Sequence, residues 1–179
     1  ASSYPNFLPI IFNITVKKEI EFGMKYFNYK TDKIEKRVMD ALKMVGLDDT
    51  YLTRDPFSLS SGEKRKVAIA SVLAFNPKVI IFDEPTLGLD ASSKENLIRL
   101  IKMLKNKYNK TIIINSHDVD LLHKLVDHVF ILHNKKVVIE GNKYEVFTQV
   151  DKLNEYGIGV PKVIEFSHKV LVQKKIKMG

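Results

Sequence analysis

The sequence predicts an α/β fold, a parallel sheet with flanking helices, and three observations carry that prediction. Two short apolar runs, "VIIF" (79–82) and "TIIIN" (111–115), have the length and texture of strands buried on both faces of a sheet. Each is followed by a stretch with helical spacing, "SSKENLIRLIKMLKNKY" after the first and "VDLLHKLV" after the second. Strands joined in sequence by helices pair in parallel through right-handed crossovers.

The elements follow in chain order. Through about Gly46 the sequence reads as loop and then helices. "DKIEKRVMDALKMVG" puts Ile34, Val38, Leu42 and Val45 on one stripe, with Asp32 and Glu35 as a capping box and Gly46 as a stop. A loop, "LDDTYLTRDPFSL", leads to the helix "GEKRKVAIASVLAF", ended by Asn76-Pro77. Its Ile69, Val72 and Leu73 keep helical spacing. Lys64, Arg65 and Lys66 cluster in its first turn, where cations oppose the helix dipole and hint at an anionic neighbour. After "VIIF" a Ser92–Glu95 capping box opens a helix with Leu97, Ile101, Leu104 and Tyr108 on one face. "HVFILHNKKVVIEG" reads as a hairpin turning near Asn134-Lys135, and the remainder is helical and irregular.

Bulk properties narrow the class. The 179 residues suffice for one domain, or one with a small appendage. No apolar run is long enough to span a bilayer, and no signal peptide is visible. With no cysteine, disulfides, thiolate metal sites and Cys nucleophiles are excluded. The net charge of +8 is partly local, since Lys162 to Gly179 holds five lysines against one glutamate. Such a tail could meet anionic lipid or nucleic acid, but a solvated surface is the simpler reading. No aromatic-basic interleaving of the kind that binds single strands is present. His123, His128, His133 and His168 have no metal-ligand spacing.

The chemistry lies at the strand ends, where open α/β sheets bind ligands. "VIIF" ends at Asp83-Glu84 and "TIIIN" at Ser116-His117-Asp118. If the strands are neighbours, two acids and an imidazole converge on one rim. An Asp can hold Mg²⁺, a second acid can orient or deprotonate a water, and a His can contact a terminal phosphate. A helix cap is the alternative reading of Asp83 alone. Upstream, "LSSGEKRK" (59–66) opens a helix with a Ser and a Gly, which is an N-cap and also an anion site.

With these residues in place, the chain resembles the ATP-binding-cassette (ABC) ATPases. "LSSGEKRKVAIASVLAFNPKVIIFDEPTLGLD" is similar to that family's signature motif, Walker B strand and D-loop, in order and spacing, and "IIINSHDVD" to its switch-histidine loop. "YPNFLPIIFNITVKKEIEFGMKYFN", "VGLDDTYLTRDPFSLSSGEKRKVAIASVLAFNP" and the ending "LNEYGIGVPKVIEF" resemble the ATPase subunits of energy-coupling-factor (ECF) transporters, which import vitamins and transition-metal ions.

The resemblance implies a partial P-loop NTPase fold in three parts. Residues 1–77 would hold the Q-loop region and a helical signature subdomain, 78–142 the Walker B, D-loop and switch-His part of the core, and 143–179 a short C-terminal extension. It further implies ATP and Mg²⁺ as cofactors. Asp83 would support Mg²⁺, Glu84 would polarise the hydrolytic water and His117 would contact the γ-phosphate. Asp90 would lie at the dimer seam beside the partner's phosphate loop. Ser60, Ser61, Gly62 and Glu63 form the signature segment, of which Ser60 and Gly62 would touch the γ-phosphate held by the other subunit. The implied partners are a second ABC ATPase subunit, identical or not, a transmembrane coupling subunit and a substrate-binding membrane subunit. Nucleic acid is not expected, and the implied location is the cytoplasmic face of the membrane, as a peripheral protein. Tyr4, Phe7, Phe12 and Phe22 read as packing or partner-contact residues.

The sequence departs from the family pattern in three ways. None of its eight glycines belongs to a G-x-x-x-x-G-K-[ST] phosphate loop. The family's Gln before the aromatic-Pro step would fall at Ser3. Ser61 stands where the signature has Gly, and Glu63 where it has Gln, which puts negative charge near an anion unless Glu63 points away. The chain therefore reads as the C-terminal two-thirds of an ATPase, expected to be inactive and to bind little nucleotide in isolation. Two alternatives follow: a truncated, non-catalytic module that pairs with a complete ABC ATPase, or a soluble ABC ATPase acting on DNA or ribosomes. Intact Asp83, Glu84 and His117 argue against the first, and the lack of room for a coiled-coil insertion argues against the second.

Overall fold

The computed structural model describes residues 13–177 except 28 and 30–32, with backbone alone for 172–177. Ser3, Tyr4, Phe7, Phe12 and Asp32 lie outside the described residues. The chain divides into two compact units: the described residues up to Ile80 with Gly88–Ile112, and Ile81–Leu87 with those from Ile113 onward.

In the first unit α1 (Val16–Tyr26), α2 (Ile34–Met44) and α3 (Ser61–Leu73) pack on one another. Val16, Ile20 and Met24 of α1 and Val38, Ala41 and Leu42 of α2 are sealed from water. The helix expected over 32–46 keeps its stripe, with Val38, Leu42 and Val45 buried. Its N-cap is Lys33, with no side-chain cap bond, so a box with Asp32 is not part of the described structure. Gly46 ends it as expected: at φ 70° it lets the amides of Gly46 and Leu47 donate back to the carbonyls of Lys43 and Leu42.

Helix α3 turns a different face inward from the one its large apolar residues predict. Val67, Ala70, Leu73 and Ala74 are buried, Ile69 is only half-buried and Val72 is exposed. The small Ala70 and Ala74 admit the neighbouring helices closely. At Gly23 of α1 a Cβ would come within 3.1 Å of the Phe75 ring. The helix begins at Ser61, so Arg65 and Lys66 fall in its second turn and only Lys64 closes the first.

The strands β1 (Val79–Asp83) and β2 (Thr111–Asn115) pair with each other. The Thr111 amide donates to Lys78 at one end and the Glu84 amide to Asn115 at the other, so they run parallel. Helix α4 (Ala91–Asn106) connects them, with Leu97, Ile98, Ile101 and Leu104 buried and Tyr108 beyond its end half-buried. Its cap corrects the sequence reading. Asp90, and not Ser92, is the N-cap, because its carboxylate accepts from the Ser93 amide at 2.8 Å and from the Ser93 hydroxyl at 2.9 Å. Burial of both strand faces is also not met: Val79, Ile81 and Ile113 are all exposed. Among the described residues each strand has only the other as a sheet neighbour, and two strands cannot cover both faces.

In the second unit α5 (Val119–Leu125) precedes a hairpin of β3 (His128–His133) and β4 (Lys136–Asn142). The hairpin turns at Asn134 and Lys135 with φ of 47° and 63°, the pair of positive values that a two-residue turn of this hand requires. Val129, Ile131 and Ile139 face a core shared with Val146 and Phe147 of α6 (Lys143–Phe147) and Leu153 of α7 (Val150–Glu155). Ile164 of α8 (Lys162–Lys177) packs on its margin. Among the described residues no helix is long and apolar enough to cross a membrane.

Candidate functional site

The parallel pairing brings the two strand ends together. Asp83, the last residue of β1, is exposed and accepts from Asn115 Nδ2 at 2.7 Å. Glu84 follows at φ 40°, a conformation that costs a side-chain-bearing residue on the order of 1–2 kcal/mol. Two backbone bonds hold it there: its amide donates to Asn115 at 2.8 Å, and its carbonyl accepts from Leu87 at 3.1 Å. The side chain is thereby aimed at the loop after β2. Oε1 accepts from the His117 amide at 2.9 Å and Oε2 from the Ser116 hydroxyl at 3.0 Å.

Glu84 therefore meets the loop that bears His117, while Asp83, its neighbour in sequence, bonds Asn115 instead. What meets the Glu84 carboxylate is the loop's backbone and a hydroxyl. The His117 ring is almost wholly exposed, with Nε2 3.7 Å from Glu84 Oε1, and so stands open to a ligand. Asp118 caps α5 by accepting from the Leu121 amide at 2.9 Å and also accepts from the Thr86 hydroxyl at 3.4 Å.

Asp83 is a lone carboxylate, and among the described residues no cluster of three or more His, Asp or Glu side chains could hold a metal. Mg²⁺ binds through one or two carboxylates completed by phosphate oxygens and water. The donor set fits an ion carried on a nucleotide's phosphates, not one held by the chain alone.

The signature segment opens α3 in the other unit. Ser60 is the N-cap, and with Glu63 it forms a reciprocal box: the Glu63 amide donates to Ser60 Oγ at 3.3 Å, while the Ser60 amide and hydroxyl donate to Glu63 Oε2 at 2.9 and 2.6 Å. Tyr51, at the end of a 3₁₀ turn, donates its hydroxyl to Glu63 Oε1 at 2.7 Å, with the Arg54 guanidinium 3.9 Å above its ring. The Ser60 hydroxyl, the Tyr51 hydroxyl and the Ser60 amide hold the Glu63 carboxyl down at about 2. The same bond pushes the Tyr51 phenol up. Glu63 is thus folded back on its own cap, while Ser61 and Gly62 are exposed. Asp90 sits in the same unit as the cap of α4, its carboxyl lowered by the Ser93 amide.

Sequence reasoning missed Asn115 and Tyr51 as partners of site residues. Asn115 had a signal, a polar residue ending an otherwise apolar strand. Tyr51, twelve residues before Glu63, had none.

Comparison with known proteins agrees with this geometry. The ABC transporter family matches residues 4–87. The energy-coupling factor transporter ATP-binding protein EcfA2 of Clostridium perfringens is 41% identical over 161 residues, covering 89% of this chain and 56% of that protein. The EcfA2 of Enterococcus faecalis is 37% identical, with 91% and 56% covered. The chain thus spans a little over half the length of these curated relatives. Among solved structures, CbiO1 of Clostridium perfringens, described as part of the ABC transporter complex CbiONQ, superposes with a TM-score of 0.69 at 34% identity over 88% of this chain and 62% of that one. A dimeric bacterial ABC transporter cassette gives 0.60 at 28% identity, covering 76% and 60%. These likenesses show a partial ABC ATPase fold, related to the ATP-binding proteins of energy-coupling factor transporters.

Proposed function

We propose that this chain supplies the hydrolytic and signature segments of an ATPase subunit that drives an ECF-type importer of a vitamin or a transition-metal ion. The observation that carries the reading is the seating of Glu84 on the loop that bears His117, with the His117 ring left open. Asp83 would hold Mg²⁺ brought in with the triphosphate, and the ion when bound neutralises charge on the phosphates. Glu84 orients the attacking water and takes its proton, and the exposed His117 ring contacts the terminal phosphate. The phosphate loop that completes this half-site is not in the 179 residues and would belong to the whole protein.

The second half-site would be offered to a sister ATPase, identical or not. There the free amides of Ser61 and Gly62 and the dipole of α3 face the sister's nucleotide. The Ser60 hydroxyl joins them only by leaving Glu63. Asp90 would lie at the seam between the two subunits. The Glu63 carboxylate, turned back on Ser60 and Tyr51, holds the Ser60 amide and hydroxyl at the helix N-terminus and so competes with that anion for these two donors. Transmembrane coupling and substrate-binding subunits would hold the assembly at the cytoplasmic face of the membrane.

The test uses the whole protein containing this chain, assembled with its sister ATPase. His117→Ala is expected to lower ATP turnover by about 100-fold while MgATP affinity changes less than about threefold. Turnover equal to wild type would remove the role given to His117.

A further inference from the structure

The turns after β1 and β2 are closed into a ring of hydrogen bonds within one unit. Ser116 Oγ accepts from the Asp118 amide at 3.1 Å and donates to Glu84 Oε2 at 3.0 Å. Two residues beyond Glu84, the Thr86 hydroxyl returns to Asp118 Oδ2 at 3.4 Å, and Asp118 is itself fixed as the cap of α5. A serine hydroxyl has one proton and two lone pairs. The Asp118 amide occupies a lone pair and so sets the direction of the remaining proton, which points at Glu84. The carboxylate then has two donors on adjacent residues, the Ser116 hydroxyl and the His117 amide, one for each oxygen.

We propose that Ser116 is a positioning residue for Glu84, fixing the rotamer from which the carboxylate addresses water. This rests on the reading of Glu84 as the water-orienting acid. Ser116 does not touch the reacting atoms. It acts by holding Oε2, so that Oε1 stays on the His117 amide and the two catalytic side chains move with one loop. Glu84, one residue past β1 at φ 40°, has three side-chain torsions, and its backbone bonds aim the side chain without locking them. A purely structural serine, one that only accepts from Asp118 to close its turn, would make the same local contact without any coupling to Glu84.

Amide hydrogen exchange at His117, read in the full chain, separates the two. Ser116→Ala is expected to speed that exchange about tenfold, and Ser116→Thr to leave it near wild type because the donor is kept. Glu84→Ala should speed it by a similar factor, and the double variant no further than Glu84→Ala alone. Ser116→Cys, isosteric but a weak donor, should fall between Ser and Ala and serves if the Ala variant does not fold. In the whole protein assembled with its sister ATPase, Ser116→Ala is expected to lower kcat about tenfold at unchanged KM, with Thr restoring it. Additive exchange effects, or a Ser116→Ala variant matching wild type in exchange and kcat, would overturn the inference. If Glu84→Ala hydrolysed ATP normally, the role of Glu84 in hydrolysis would fall, while the exchange cycle would still decide whether Ser116 holds it.

Discussion

The Tyr51 hydroxyl donates to Glu63 Oε1 at 2.7 Å, tying the loop before α3 to the third residue of that helix. With Ser60 on the other oxygen, this bond keeps the carboxyl at about 2, against an ordinary value of 4.5. A carboxyl depressed in the folded state stabilises the protein fully above its unfolded value. That contribution is lost as pH falls from about 5 to about 2. Glu63→Gln is therefore expected to flatten the acid limb of stability in this window, and Tyr51→Phe to shift the Glu63 titration upward, read by carbon-13 NMR of the side-chain carboxyl. A Glu63 titration near 4.5 in the unaltered chain would contradict the geometry.

Asp90 caps the start of α4, a helix whose Leu97, Ile98, Ile101 and Leu104 are all buried. Asp90→Ala is expected to cost about 1 kcal/mol. For a chain of this length that lowers Tm by roughly 2–4 °C in a thermal melt. Asp90→Ser should recover most of it, since a hydroxyl also accepts from the Ser93 amide. Ser92→Ala should leave Tm within about 1 °C of wild type, in contrast to what a cap at Ser92 would require.

Ile81 and Ile113 expose 69% and 50% of their surface on paired strands, an uncovered apolar face of the kind that drives self-association. Light scattering is expected to show the 179-residue chain as oligomers whose fraction grows with concentration. Ile81→Lys with Ile113→Lys should shift it toward monomer. A clean monomer for the unaltered chain would contradict this.

Much of this was legible in the sequence because it is written locally. The strand texture of "VIIF" and "TIIIN", the Gly46 stop and the Asn134-Lys135 turn each depend on a few neighbouring residues, and all three were found. So was the approach of Glu84 to the loop that bears His117, since parallel pairing leaves both strand ends on one rim. What escaped was set by tertiary neighbours. The inward face of α3 follows Ala70 and Ala74, which pack well because they are small, and a hydrophobicity pattern favours Ile69 and Val72 instead. Strand burial depends on how many strands flank β1 and β2. Asp90 and Ser92 are N-cap residues of about equal strength, so composition alone does not choose between them.

In the proposed function Glu84, presented by the end of β1 to the His117 loop, is the residue on which hydrolysis turns. The most direct measurement is steady-state ATP turnover and MgATP binding by the whole protein, assembled with its sister ATPase, with Glu84→Gln. Turnover is expected to fall by at least about 100-fold, with MgATP still bound and the paired subunits retained. Turnover within about twofold of wild type would contradict it.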